Sequence, residues 1–63
     1  MKPGDVRKGP AGEAIILLSV TQPPARHWAL AVFKGEWTIA VGGPSPGVRS
    51  VPGSWLEMWT QPV

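Results

Sequence analysis

The residues from Trp28 to Val41, WALAVFKGEWTIAV, alternate large apolar side chains with small or polar ones on either side of Lys34-Gly35. With a two-residue loop at Lys34-Gly35, one face carries Trp28, Leu30, Val32, Trp37, Ile39 and Val41. The other face carries Ala29, Ala31, Phe33, Glu36, Thr38 and Ala40. The opposed pairs are Phe33 with Glu36, Val32 with Trp37, Leu30 with Ile39, and Trp28 with Val41. A four-residue loop keeps these faces and a three-residue loop mixes them, so the pattern predicts a β-hairpin.

A second strand is predicted over Glu13–Thr21, EAIILLSVT, which is short, rich in β-branched residues and followed by Pro23-Pro24. Its even positions form the longer apolar face, with Ala14, Ile16, Leu18 and Val20. Its odd positions add Ile15 and Leu17. Because both faces are apolar near its start, this strand is expected at the centre of the sheet or under a cover on its second face.

Shorter segments complete the predicted sheet. Asp5-Val6-Arg7 should point Val6 inward, and Val48–Val51 should point Arg49 outward. A capping-box pattern, Ser54 with Glu57, predicts one short 3-10 turn near residues 53–56. In the last strand one face would carry Leu56, Met58 and Thr60, and the other Trp55, Glu57 and Trp59. Five short strands separated by Gly- and Pro-rich loops predict an all-β fold, a small five-stranded barrel that forms one domain over residues 1–63.

Size and composition add two constraints. A chain of 63 residues without cysteine buries little surface, so its four tryptophans or self-association must supply stability that a disulfide or zinc site supplies elsewhere. The six Lys and Arg residues are scattered, and the net charge is only +2. The longest apolar run, Ala14–Leu18, is too short for a bilayer and lacks a signal-peptide layout, which predicts a soluble, cytoplasmic protein.

Short segments of the chain resemble the Src-homology-3-like small barrels. They are the Gly-Asp-hydrophobic opening Lys2–Val6, a Trp after a loop at Trp28, and the closing segment Val51–Leu56, VPGSWL. In peptide-binding members of that family a groove for proline-rich ligands is formed by a closing Pro, an aromatic residue and a Trp. The resemblance implies Trp28, Pro52 and Trp55 for that groove, although the acidic loop and the N-terminal aromatic pair of those members are not matched.

A weaker resemblance is to the MazF/PemK ribonuclease toxins, which use a similar barrel. It is carried by Lys2–Val6, Gly12-Glu13 and Ile16–Ser19. The Arg-Pro that precedes the second strand of those toxins is absent, and this chain is much shorter. The resemblance implies a ribonuclease whose activity would depend on Glu13 and Arg49.

Catalytic chemistry finds little support in the sequence. His27 is the single histidine, and no serine is tied to it by spacing; it is expected to be a solvated residue at a strand edge. The four acidic residues, Asp5, Glu13, Glu36 and Glu57, lie in separate elements, so no paired carboxylates for acid–base chemistry or metal binding are indicated. We therefore expect a non-enzyme without catalytic residues, metal or cofactor.

The tryptophans indicate binding instead. Trp28 and Trp37 fit the core, whereas at least one of Trp55 and Trp59 should be exposed, and exposed aromatics dominate interfaces. A second mini-core under a loop is the alternative for that pair. The favoured function is a protein-interaction module or homo-oligomer, in the manner of bacterial or phage accessory proteins, with partner-binding residues Trp55, Trp59, Phe33 and Arg49. A nucleic-acid binder is the alternative, with phosphate contacts from Arg7, Lys8, Arg26 and Lys34.

Overall fold

The computed structural model describes residues 1–21 and 32–63, in which five antiparallel strands form one open sheet. The strands are β1 (Val6–Lys8), β2 (Ala14–Thr21), β3 (Glu36–Val41), β4 (Gly47–Pro52) and β5 (Gln61–Pro62), and the helix α1 spans Gly53–Trp59. The order across the sheet is β4-β3-β2-β1-β5. The five-stranded, mostly β architecture and the central position of the second strand are confirmed. Within the described ranges no helix has the length and apolar content needed to cross a bilayer.

The core lies between one face of the sheet and α1. It consists of the buried residues Ile15, Leu17, Trp37, Ile39, Val41 and Leu56. Along β3 the side chains alternate between this core and the opposite face, as a half-buried strand requires. The predicted shared face of Trp37, Ile39 and Val41 is therefore confirmed.

The longer apolar face predicted for β2 is not the face that meets the core, and a β-bulge interrupts the alternation along the strand. Ile15 and Leu17 face the core, while Ile16 and Leu18 are exposed. The register with β3 shifts between Leu17 and Ser19. Leu18 is the extra residue, so Val20 moves to the core face opposite Trp37. Counting odd and even positions cannot detect such an insertion.

The pairing of the predicted hairpin was also wrong. Trp37 lies between Val20 on β2 and Val51 on β4, so both edges of the strand are taken and Val32 cannot pair with it. Val32 itself is helical. The predicted turn at Lys34-Gly35 is present, and both residues have positive φ angles of 62° and 83°. The predicted strand residues Trp28, Ala29, Leu30 and Ala31 lie outside the described residues.

The predicted short 3-10 turn is instead the seven-residue α-helix α1. The N-cap is Pro52 without a side-chain bond, so the predicted capping box does not form. The first two helical N–H groups, of Gly53 and Ser54, donate to the backbone oxygens of Gly35 (3.0 Å) and Phe33 (2.9 Å). The turn before β3 thus satisfies donors that a helix leaves unpaired at its start.

Helical spacing also changes the predicted faces of the last segment. Leu56 and Thr60, four residues apart, are both buried, whereas Met58 is 75% exposed. The predicted shared face of Leu56, Met58 and Thr60 is therefore wrong, and the last strand is only Gln61–Pro62. The prediction assigned faces to this segment with the two-residue period of a strand, whereas most of its residues form a helix.

Arg7 on β1, rather than Val6, faces the core side of the sheet. Its Nε donates to Thr60 Oγ1 (2.6 Å), and its Nη2 donates to the carbonyls of Thr60 (3.0 Å) and Leu56 (3.4 Å). No basic residue lies in the last turn of α1 itself. The guanidinium therefore supplies the donors and the positive charge that a helix C-terminus favours.

Candidate interaction surfaces

The four predicted partner-binding residues do not form one site. Trp55 is half-buried against the core, so only part of its indole is available. Trp59 is over half exposed and lines a groove beside the β1–β2 turn. Phe33 and Arg49, both exposed, line two further grooves. Of the two predicted tryptophans, Trp59 is thus the exposed one.

The Phe33 groove lies at the end of β4. Its volume is about 250 Å³, and its lining is formed by Phe33, Gly35, Glu36, Ser50, Val51 and Pro52. Ser50 Oγ donates to Glu36 Oε1 (2.6 Å), which joins β3 and β4 across the outward face of the sheet. Phe33 therefore offers an aromatic surface beside the last residues of an edge strand.

A second apolar surface crosses the face of the sheet that turns away from the core. The strand register places Val6 opposite Ile16, Ile16 opposite Ala40, and Ala40 opposite Val48. We call these four residues the outer row. Its three larger members, Val6, Ile16 and Val48, are 45–68% exposed, and Leu18 at the bulge is 46% exposed. Aliphatic side chains aligned across four strands form a continuous exposed apolar surface, which is typical of interaction sites.

Sequence reasoning missed the outer row, although its signal was present. The even positions of β2 form the longer apolar face predicted from the sequence. Once Ile15 and Leu17 are known to face inward, Ile16 and Leu18 must face outward. The sequence shows both faces of this strand as apolar and does not show which of them is covered.

Among the described residues, the outer edge of β4 presents backbone groups that no other strand pairs. The hydrogen bond from Gly53 N to Gly35 O fixes the phase of the β3–β4 ladder, because paired and unpaired positions alternate in antiparallel strands. The residues whose N–H and C=O groups point to β3 are Gly47, Arg49 and Val51. Val48 and Ser50 direct theirs away from the sheet. In residues 1–21 and 32–63 no strand pairs with this edge.

Of the four cations proposed for nucleic-acid binding, three lie in the described residues, and two of these have partners within the fold. Arg7 binds the end of α1, and Lys34 Nζ lies 2.6 Å from Glu57 Oε2. Lys8 is exposed and lines the Trp59 groove, and Arg26 lies outside the described residues. A phosphate backbone needs several free cations along one track, and Arg7 and Lys34 are instead engaged with other groups of the fold.

One groove brings Glu13 near Arg49. Both side chains line it, together with Ala11, Val41, Gly42, Pro44 and Ser45. Glu13 Oε1 accepts a hydrogen bond from Ala11 N (3.0 Å), and Arg49 Nη2 donates to Ser45 O (3.3 Å). His27 lies outside the described residues.

Comparisons of the chain with protein families, with curated proteins and with solved structures find no match.

Proposed function

We propose that this chain is a small, non-catalytic protein-interaction module whose partner covers the outer row. The observation that carries the proposal is the alignment of Val6, Ile16 and Val48 on the face opposite the core, each about half exposed or more. Each Å² of apolar surface that a partner removes from water contributes about 25 cal/mol. Leu18 widens the surface, and Trp59 and Phe33 add exposed aromatics in nearby grooves.

We further propose that the sheet curls into a Src-homology-3-like small barrel. α1 starts at the end of β4, and its last carbonyls accept hydrogen bonds from β1, three strands away. Three strand spacings of about 4.8 Å make roughly 14 Å in a flat sheet, whereas seven helical residues span about 10 Å. A curled sheet relieves this difference. The segment Val51–Leu56, part of the family resemblance, forms the end of β4 and the start of α1.

The functional proposal is tested by photo-crosslinking in cells that make the protein natively. A photoreactive amino acid is placed at Ile16 or at Val48, with Ser45 in an exposed loop as the matched control position. We expect one discrete protein adduct from both row positions and none from Ser45. The adduct should disappear when the rest of the row is changed to threonine.

Sedimentation equilibrium of the purified chain shows whether the partner is a second copy. A mass near 6.7 kDa at all concentrations assigns the adduct to another protein. Equal adduct yields at Ile16, Val48 and Ser45 would contradict the proposal.

A ribonuclease is a second candidate, favoured by the groove that Glu13 and Arg49 share. A carboxylate and a guanidinium in one groove can serve as general base and phosphate ligand. The test is degradation of a labelled RNA by purified protein. Activity that is lost in both Glu13→Ala and Arg49→Ala and kept in Lys8→Ala would support this candidate over the interaction module.

A further inference from the structure

The edge of β4 is prepared to receive one more strand. Val48 and Ser50 direct their N–H and C=O groups outward, and the side chains of this strand are exposed except at Val51. Pro52 has no N–H group, so the outward donors of β4 are those of these two residues. Exposed edges of this kind pair with extended segments of other chains.

Arg49 selects among the strands that this edge can accept. Its side chain lies on the core side of the sheet, opposite Ile39, and is exposed. Two copies of this chain could also pair through their β4 edges. In an antiparallel pairing that uses the N–H groups of Val48 and Ser50, the two Arg49 side chains lie on the same face of the joined sheet. They are then either directly opposite each other or diagonal neighbours. Like charges at those positions repel. A segment with an acidic residue opposite Arg49 gains from the same geometry.

The face of the sheet that turns away from the core favours particular residues on either side of this acidic residue in the bound segment. An added strand places the residue opposite Val48 at the end of the outer row, where an apolar side chain extends the row across a further strand. The residue of the added strand that lies opposite Pro52 has its side chain on this same face, where it reaches the Phe33 groove. An apolar residue at that position would pack against the Phe33 ring.

We propose that β4 binds an extended segment of a partner protein as an additional antiparallel strand, with an acidic residue opposite Arg49 and apolar residues opposite Val48 and Pro52. This inference rests on the proposed function and names the recognition chemistry. Phe33 and Arg49 line separate grooves, but a single bound strand would contact both of them. A second copy of this chain is disfavoured by the charge of Arg49.

The test titrates the labelled full chain with the capped peptide Leu-Thr-Thr-Glu-Val-Thr at low salt, followed by two-dimensional amide NMR. A matched peptide carries Lys in place of Glu. We expect saturable shifts centred on Val48 and Ser50, with the acidic peptide bound about two- to five-fold more tightly, as a cross-strand ion pair allows. In Arg49→Glu the preference should reverse.

Val48→Pro removes an outward N–H and no ladder hydrogen bond, so it should abolish binding while the amide spectrum of β1 to β3 stays in place. The inference would be overturned if the two peptides bound with equal affinity or if Arg49→Glu still preferred the acidic peptide. Chemical-shift changes confined to β1 and β2 would also overturn it. Crosslinks from the outer row that persist in Val48→Pro would also overturn it and leave the proposed function standing.

Discussion

Gly53 is the residue on which the start of α1 most depends. A Cβ atom at this position would clash with the Lys34 carbonyl oxygen and lie 3.0 Å from Trp37 Nε1. The same indole nitrogen donates to Lys34 O (3.3 Å), so the helix, the turn and the core meet at one carbonyl group. Glycine is therefore required here by close approach of the backbone, although alanine is the better helix former.

We expect Gly53→Ala to lower the free energy of unfolding by about 1–3 kcal/mol, as overpacking in a dense region does. Urea denaturation followed by tryptophan fluorescence measures the change. Gly47→Ala is the matched control, because a Cβ there meets nothing within 4 Å. If both variants lose equal stability, the contact at Lys34 does not explain the need for glycine.

Single residues also show where sequence reasoning succeeds. The turn at Lys34-Gly35 was predicted from the alternation of apolar side chains on either side of it, and both residues adopt positive φ angles there. The inward position of Arg7 could not be predicted, because its partners Leu56 and Thr60 become neighbours only after the chain folds. An arginine in a short polar segment is normally assigned to solvent.

Among the elements, α1 depends on β1 for its C-terminal cap. Arg7→Lys keeps the charge and loses the planar set of donors that reaches Thr60 Oγ1 and two carbonyls. We expect it to destabilise the fold by about 1.5–3 kcal/mol, the range for hydrogen bonds to a charged group. Lys8→Arg on the same strand is the control. Chemical denaturation measures both, and an unchanged midpoint for Arg7→Lys would show that charge alone suffices.

The bulge in β2 makes an unusual deletion tolerable. Removing Leu18 leaves Leu17 opposite Ile39 and Ser19 opposite Thr38, so every remaining pair keeps its partner and its face. We expect the deletion variant to unfold cooperatively. Deleting Thr38, on the regular strand opposite, moves either Trp37 or Ile39 out of the core and should abolish folding. Circular dichroism during heating distinguishes the two outcomes, and loss of folding in both variants would refute this account of the bulge.

The elements also show why strand positions were predicted better than strand pairing. β2, β3 and β4 fall close to their predicted residues, since alternation and Gly- and Pro-rich loops are local signals. Pairing is non-local. The sequence of residues 28–33 has the alternation expected of a strand that pairs with β3. However, β2 and β4 occupy both edges of β3.

For the molecule as a whole, the small core makes the free energy of unfolding strongly dependent on Leu56. A chain of this length has a total stability of about 3–9 kcal/mol, and truncating one buried leucine costs about 2–5 kcal/mol. Leu56 is fully buried and is the residue of α1 within the core cluster. We expect Leu56→Ala to populate the unfolded state at 25 °C, whereas Met58→Ala, at an exposed site on the same helix, should leave the stability unchanged. Amide hydrogen exchange measures both, and full protection in Leu56→Ala would contradict the expectation.

At this scale the candidate site was less predictable than the fold. The exposure of Trp59 and Phe33 agrees with expectation, whereas the outer row and the edge of β4 emerge only from strand register. Register depends on the bulge at Leu18 and on the phase of the β3–β4 ladder. Neither leaves a recognisable pattern in the order of residues.

The contact between Arg7 and Thr60 joins residues 53 positions apart and has a consequence for biosynthesis. The guanidinium leaves the ribosome first and has no carbonyl to bind until Leu56 and Thr60 have emerged. β1 must likewise wait for β5. β1 therefore completes its contacts only after residues 56–62 have emerged, and a nascent chain stalled before them would expose the apolar sheet surface that α1 later covers.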